Sequence, residues 1–295
     1  MRIVEDYRLV KFAFMYANAG PFAEPENAIG AAQLTEELGF ESLWTVEHTV
    51  VPAGYQSEYP YSPDGKMPGG ENVAIPDPLI WLSYVGAVTK NLRLGTGILI
   101  LPQRNPLTLA KEVATLDRLT GGRVELGIGV GWLREEFDAL GIPFETRGAR
   151  TDEHIEILRR VWSEQETAFD GTFTSFAALK SFPKPATEGG PRIHVGGHSK
   201  AAARRAGRLA DGFFPGRTGE ELTELVDVLR KSAADAGRNA DAIEITTFAG
   251  LDVDSIKRSE DAGVARAIVP PLGFDLETLR TNLGKFSEDV VAKCS

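Results

Sequence analysis

The chain has 295 residues, 42% hydrophobic and 25% charged, an ordinary globular balance that excludes disorder and supplies a large core. Its formal net charge of −10 argues against nucleic-acid and anionic-membrane partners, which need clustered Lys and Arg. The single cysteine, Cys294, excludes an internal disulfide, no run reaches the ~18 apolar residues of a membrane helix, and Met1-Arg2-Ile3-Val4-Glu5-Asp6 puts acids where a signal peptide is apolar, so a reduced, cytoplasmic protein is expected.

Short apolar or β-branched runs predict strands at 10–16, 42–47, 92–102, 124–129, 192–196, 212–215, 243–248 and 265–269. Several are apolar almost throughout, as in Gly97-Ile98-Leu99-Ile100-Leu101, which suits parallel strands covered on both faces. Between them the 3.6-residue period returns. Leu222, Leu225, Val226 and Leu229 form one stripe, Ile155, Leu158 and Trp162 another, and Leu276, Leu279, Leu283 and Phe286 a third. Gly39, Gly121-Gly122 and Gly237 follow predicted helices 26–38, 106–119 and 219–236 as left-handed caps. Repeated βα units without a composition break predict one α/β domain over 1–295, a (β/α)8 TIM barrel.

Two insertions interrupt the repeat. Residues 49–76, after strand two, are rich in Pro, Gly and Tyr and lie on the side where barrel chemistry occurs, so they are the lid candidate. Residues 164–191, before strand five, contain a hairpin pattern around Asp170-Gly171.

Chemistry is expected at the strand ends. The second closes on Glu47-His48, a carboxylate and an imidazole suited to acid–base work, or equally to a rim ion pair. The third carries Gly95-Thr96-Gly97-Ile98, where glycines in a strand mark a bulge, a close ligand approach or a tight interior layer. The fourth ends in Gly127-Ile128-Gly129-Val130-Gly131-Trp132, with one face bare for something flat or bulky. The fifth ends in Gly196-Gly197-His198-Ser199 ahead of a helix at 200–210. Exposed N–H groups at that helix start suit a phosphate, although Ser199 could simply cap it. His48, His194 and His198 with Glu47 could be drawn as a metal site, but their strand positions rank that reading low and no metal is expected, while His154 beside Glu153 is expected to face solvent. Tyr55, Tyr59, Tyr61 and Met67 of the lid, with Trp81 and Trp132, suit an apolar or aromatic small-molecule substrate, or a loop packing its own core.

Taken together, these motifs resemble the bacterial-luciferase-like flavin and deazaflavin oxidoreductases, and more narrowly their actinobacterial coenzyme F420-dependent branch. The likeness is carried by Leu38-Gly39-Phe40-Glu41-Ser42-Leu43-Trp44 with Glu47-His48, and by Leu94-Gly95-Thr96-Gly97 with Asn105-Pro106. It continues through 116–123, through 127–132, and through Gly196-Gly197-His198-Ser199 with Ala210-Asp211-Gly212-Phe213, in order over nearly the whole chain. The resemblance implies an enzyme passing a hydride between coenzyme F420 and a small organic substrate at the barrel mouth. Thr96, Gly97 and Ile98 would form a bulge behind the ring, often with a non-proline cis peptide at Gly97-Ile98. Gly129, Val130 and Gly131 would line the ring or side chain, and Gly196, Gly197, His198 and Ser199 would hold the phosphate, with Arg217 and Thr218 as weaker candidates. Arg104, Arg134 and Arg147 could help with an acidic cofactor tail, and His48 with Glu47 would sit at the reactive edge. An FMN-dependent monooxygenase is the alternative, a non-catalytic flavin-binding protein a further one, and homodimers are common in such barrels, although no helix face identifies an interface.

Overall fold

The computed structural model describes residues 10–294, so the acidic start read above lies outside them. The chain runs β1 (Lys11–Met15), α1 (Pro25–Glu37), β2 (Ser42–Thr45), α2 (Pro78–Gly86), β3 (Arg93–Thr96), β4 (Leu99–Ile100), α3 (Pro106–Thr120), β5 (Val124–Gly129), α4 (Arg134–Ala139) and α5 (Arg147–Ser163). A hairpin of β6 (Thr167–Asp170) and β7 (Ser175–Leu179) follows, then β8 (Arg192–Gly196), α6 (Lys200–Leu209), β9 (Gly212–Phe214), α7 (Gly219–Asp235), β10 (Glu244–Phe248), α8 (Val253–Asp261), β11 (Val264–Val269) and α9 (Leu276–Phe286).

Among the described residues, nine strands form one sheet in the order β3-β2-β1-β11-β10-β9-β8-β5-β4, and a further β3–β5 pairing closes it. The strands pair in parallel, and β3 and β4 are two halves of one broken stave, so the sheet is the expected (β/α)8 barrel. The break is the main departure from the expected strand at 92–102. The Gly97–Ile98 peptide is cis, and the ladder stops at Thr96 and resumes at Leu99.

Helix ends follow local chemistry. Asp77 accepts from the N–H groups of Leu79 and Ile80, and Asn105 from those of Leu107 and Thr108, so each caps a helix that begins with proline. Gly39 (φ 78°), Gly121 (φ 69°) and Gly237 (φ 67°) take the left-handed conformation expected of them. The faces left bare by strand glycines are filled from inside the barrel. A Cβ on Gly95 would lie 2.5 Å from the Trp44 ring, and one on Gly212 would collide with the His194 ring.

Below that layer lies a charged floor. Arg266, wholly buried, pairs with Glu41 at 2.9 and 3.0 Å and with Glu244 at 3.3 Å, and its guanidinium lies 5.4 Å from the Trp44 ring centre. Glu125 accepts from Arg93 at 2.5 Å and pairs with His194 Nε2 at 2.6 Å. Burial alone would raise the Glu125 carboxyl, but the His194 hydrogen bond and the surrounding charges hold it down at about 2.

Two expectations are corrected on the helical shell. Trp81 does not face the mouth: it packs in the core, with Nε1 donating to Phe22 O at 2.9 Å. His154 is not solvent-facing but 2% exposed, with Nδ1 3.4 Å from Leu101 O, and burial, with the Arg150 charge adding, pushes it down to about 4. The hairpin tip, unplaced by the sequence, docks on α5: the N–H groups of Thr172 and Phe173 donate to Glu153, and Arg150 lies over the Phe173 ring.

Candidate active site

The C-terminal mouth gathers the tips of β2, β4, β5, β8 and β9. Glu47 and His48 are neighbours in sequence but diverge in space, because successive residues of an extended chain point to opposite sides. Glu47 turns into the wall. One oxygen accepts from Ile100 N and the other from Arg104, at 2.9 Å for Nε and more closely for Nη2, while Arg104 also donates to Asp77 at 2.6 Å. Burial pushes the Glu47 carboxyl up against the pull of Arg104. Both oxygens are therefore committed, and Glu47 fixes the wall rather than offering an atom to a ligand.

His48 turns the other way. Its Nδ1 lies 2.9 Å from Oε2 of Glu136, a residue of α4 with no exposed side-chain surface. The second Glu136 oxygen accepts from Thr49 N at 2.7 Å and Val50 N at 3.2 Å. Trp132 stands edge-on to the His48 ring at 5.6 Å, and to Tyr55 and Tyr59 at 5.6 and 5.2 Å.

The bulge makes an apolar shelf. Ile98 is half-buried, and its side chain occupies the space left by two glycines: a Cβ on Gly129 would lie 2.5 Å from Ile98 Cδ1, and one on Gly196 2.5 Å from Ile98 Cγ2. The room at Gly129 thus goes first to the protein's own Ile98. Thr96 is buried and spends its hydroxyl on Gly127 O at 2.6 Å. Gly131 (φ 82°) turns the chain past Phe137 and Ile100, and Val130 beside it is half-buried.

At the β8 tip, Gly197 (φ 119°) donates to Phe214 O at 3.1 Å, and Ser199 Oγ accepts from Ala202 N at 3.1 Å as the cap of α6. The remaining first-turn N–H groups of α6 have no intrahelical acceptor. His198 Nδ1 is buried without a partner, and burial, with Arg217 adding, pushes its pKa down. Thr218 lines a cavity of about 780 Å³ between the start of α7 and the β10–α8 connection, together with Thr247, Gly250 and Arg258, and no residue of the β8 tip lines it.

The 49–76 segment crosses the mouth. Tyr61 stands edge-on to His198 at 5.0 Å, Arg217 lies 5.4 Å from the Tyr61 ring centre, and Arg217 Nη2 donates to Pro60 O at 3.4 Å. Tyr59 meets Tyr16 at the β1 tip through a side-chain hydrogen bond, and burial pushes both phenols up. Tyr55, Met67 and Leu133 form a small core of their own, so the segment both packs itself and roofs the site. Arg134 and Arg147 lie over Phe144, away from the floor of the mouth, and Arg134 is paired with Glu145.

The sequence reading missed two residues. Glu136 is one. The other is Asn18, fully buried, which donates to Val46 O and Pro76 O and accepts from Val46 N, tying β1, β2 and the far end of the lid together. Among the described residues no group of three His, Cys, Asp or Glu is arranged to hold a metal, and no helix is long and apolar enough to cross a membrane.

Comparison with known proteins gives this geometry its setting. An uncharacterized protein of Mycobacterium tuberculosis is 36% identical over 274 residues, 90% of this chain and 94% of its own length. The FMNH2-dependent dimethylsulfone monooxygenase of Pseudomonas fluorescens is 35% identical over 222 residues, 74% of this chain and 55% of the relative. The coenzyme F420-dependent tetrahydromethanopterin reductase of Methanopyrus kandleri superposes with a TM-score of 0.78 at 17% identity, covering 97% of this chain and all of that one, a likeness of fold. The family model for luciferase-like monooxygenases matches residues 10–269, and the chain belongs to that family of oxidoreductases.

Proposed function

We propose that the protein transfers a hydride between coenzyme F420 and a small organic substrate under the aromatic roof of the barrel mouth. The observation that carries this reading is the half-exposed Ile98 shelf where the third stave breaks, at a mouth where His48 is held through one ring nitrogen only. A flat tricyclic ring fits such a shelf, with Gly129, Val130 and Gly131 along its side. The unpartnered His198 Nδ1 and the start of α6 fit a phosphate, with Gly196, Gly197 and Ser199 shaping that tip. When bound, the deazaflavin supplies two-electron hydride chemistry at a ring carbon, whereas FMN also supplies one-electron and oxygen chemistry.

The chain's own residues orient, dry and manage a proton. Ile98 and the wall behind it fix the plane of the ring. Tyr16, Tyr59, Tyr61 and Trp132 exclude water and give the substrate an apolar or aromatic surface. Nε2 of His48 takes or gives the proton that accompanies hydride transfer. Glu47 holds the wall through Ile100 and Arg104 so that this geometry persists.

The relative named as an FMNH2-dependent monooxygenase supports the alternative of FMN with oxygen, so the deciding test is a parallel fluorescence titration with F420 and FMN. Tight F420 and weak FMN binding is the expected result. The reverse preference moves the assignment to oxygen-using chemistry, and binding of neither removes the roles given to Ile98 and the β8 tip.

A further inference from the structure

The mechanism above uses one nitrogen of His48 and leaves open what decides which nitrogen carries the proton. We infer that Glu136 is the positioning residue that fixes His48 as the Nδ1–H tautomer, and that it does so only while the first residues of the lid hold its carboxylate in place. The inference rests on the proposed role of His48 and concerns a residue 88 positions away in sequence.

A carboxylate only accepts hydrogen bonds. Oε1 of Glu136 already takes two backbone donors, Thr49 N at 2.7 Å and Val50 N at 3.2 Å, and Oε2 faces His48 Nδ1 at 2.9 Å. Nδ1 must therefore carry a hydrogen, and the neutral ring turns a lone pair on Nε2 to the mouth. The side chain of Glu136 is wholly buried and that of His48 is 8% exposed, so water cannot readily substitute for either partner. Glu135, next in the same helical turn, accepts from Gln56 N at 2.7 Å, Ser57 N at 3.0 Å and Ser57 Oγ at 2.7 Å, holding the lid at a second point without touching His48. One turn of α4 thus grips the lid twice, and only one of the two grips reaches the imidazole.

The substitution Glu136→Gln turns this into a sharp test. Glutamine has one oxygen and one NH2 group. The two lid N–H groups require the oxygen at the Oε1 position, which puts the NH2 group against Nδ1 and forces the proton onto Nε2. The variant therefore keeps the shape of the site and inverts the polarity of its working nitrogen.

The experiment is long-range 1H–15N correlation NMR on full-length protein labelled with 15N at histidine, recorded well above the ordinary imidazole pKa. The chain has four histidines, and His48→Asn identifies the signals of His48 by their loss. The expected result is the Nδ1–H pattern for His48 in the parent, the Nε2–H pattern in Glu136→Gln, and the parent pattern in Glu135→Gln. A parent His48 that carries its proton on Nε2, or stays doubly protonated, overturns the inference without recourse to any variant. An unchanged pattern in folded Glu136→Gln does so too. No cofactor is present in these spectra, so a failed F420 titration with a switched tautomer removes the deazaflavin reading and leaves this one standing, and the converse pair of results does the opposite.

Discussion

The two ends of the barrel solve opposite problems with similar residue types. At the floor, Arg266, Arg93, Lys11 and Arg192 meet Glu41, Glu125 and Glu244 in a network in which every named charge has an opposite partner within 3.3 Å. At the mouth, charges are few, aromatic rings take their place, and His48 is held through one ring nitrogen only. His194 at the floor is pinned by Glu125 and walled in by Trp44 and Gly212. His48 at the mouth is pinned by Glu136 but bounded by the lid and Trp132. The same imidazole–carboxylate pair is a fastener when packed on all sides and a working group when one side faces a space that can open.

That contrast can be broken from below first. Arg266→Met leaves Glu41 and Glu244 short of a partner in a buried layer, and a loss of about 3–5 kcal/mol is expected from urea denaturation. Broken from above, His48→Ala should leave a folded protein that still binds its cofactor but turns over about 10²–10⁴-fold more slowly, read by steady-state kinetics once a substrate is in hand. The smallest effect sharpens the comparison through pH. His154 has a folded pKa of about 4 against an ordinary 6.5, so the unfolded chain binds the extra proton in that window. Its contribution to stability is complete above pH 6.5 and is lost as pH falls toward about 4, and Glu125 adds a second loss between its ordinary 4.5 and about 2. In His154→Leu the upper slope should shrink in the urea midpoint plotted against pH, leaving the part that His198 contributes in the same direction, while the lower slope remains.

Much of the fold was legible because each strand is a short apolar run and each helix is marked at its ends. The strands 124–129 and 192–196 match their observed bounds, and the helices expected at 26–38, 106–119 and 219–236 are each displaced by a residue or less at either end. α2 was not read because Leu79-Ile80-Trp81-Leu82 is apolar on every side and shows no period. The split of the third stave was invisible to hydrophobic pattern, since Leu99 and Ile100 continue the apolar run across the break. The residues at the strand ends were legible as a set, but their uses were not. Adjacent residues 47 and 48 read as one pair, whereas strand alternation sends one into the wall and the other to the mouth. Glu136 looked like any acid in the first turn of a helix, where such residues normally face water. Its burial is decided by a loop from the other side of the stave, a relation that no local pattern encodes. His154 was misread for a related reason: its neighbours Glu153 and Arg150 are polar, and only the packing of α5 on the Leu101–Gln103 turn covers it.

Glu47 has one more consequence. Between Thr96 and Leu99 the β2 edge has no ladder partner of its own beyond Gly97 N, which donates to Thr45 O at 2.7 Å, and the next rung is supplied by the Glu47 carboxylate accepting from Ile100 N. A hoop of backbone is therefore completed at its rim by a side chain. Along the ladders below, the spacing of the strands is set by main-chain hydrogen bonds. At this point of the rim the contact between staves two and three passes through one glutamate side chain, so it is open to change by substitution in a way that the main-chain rungs below it are not.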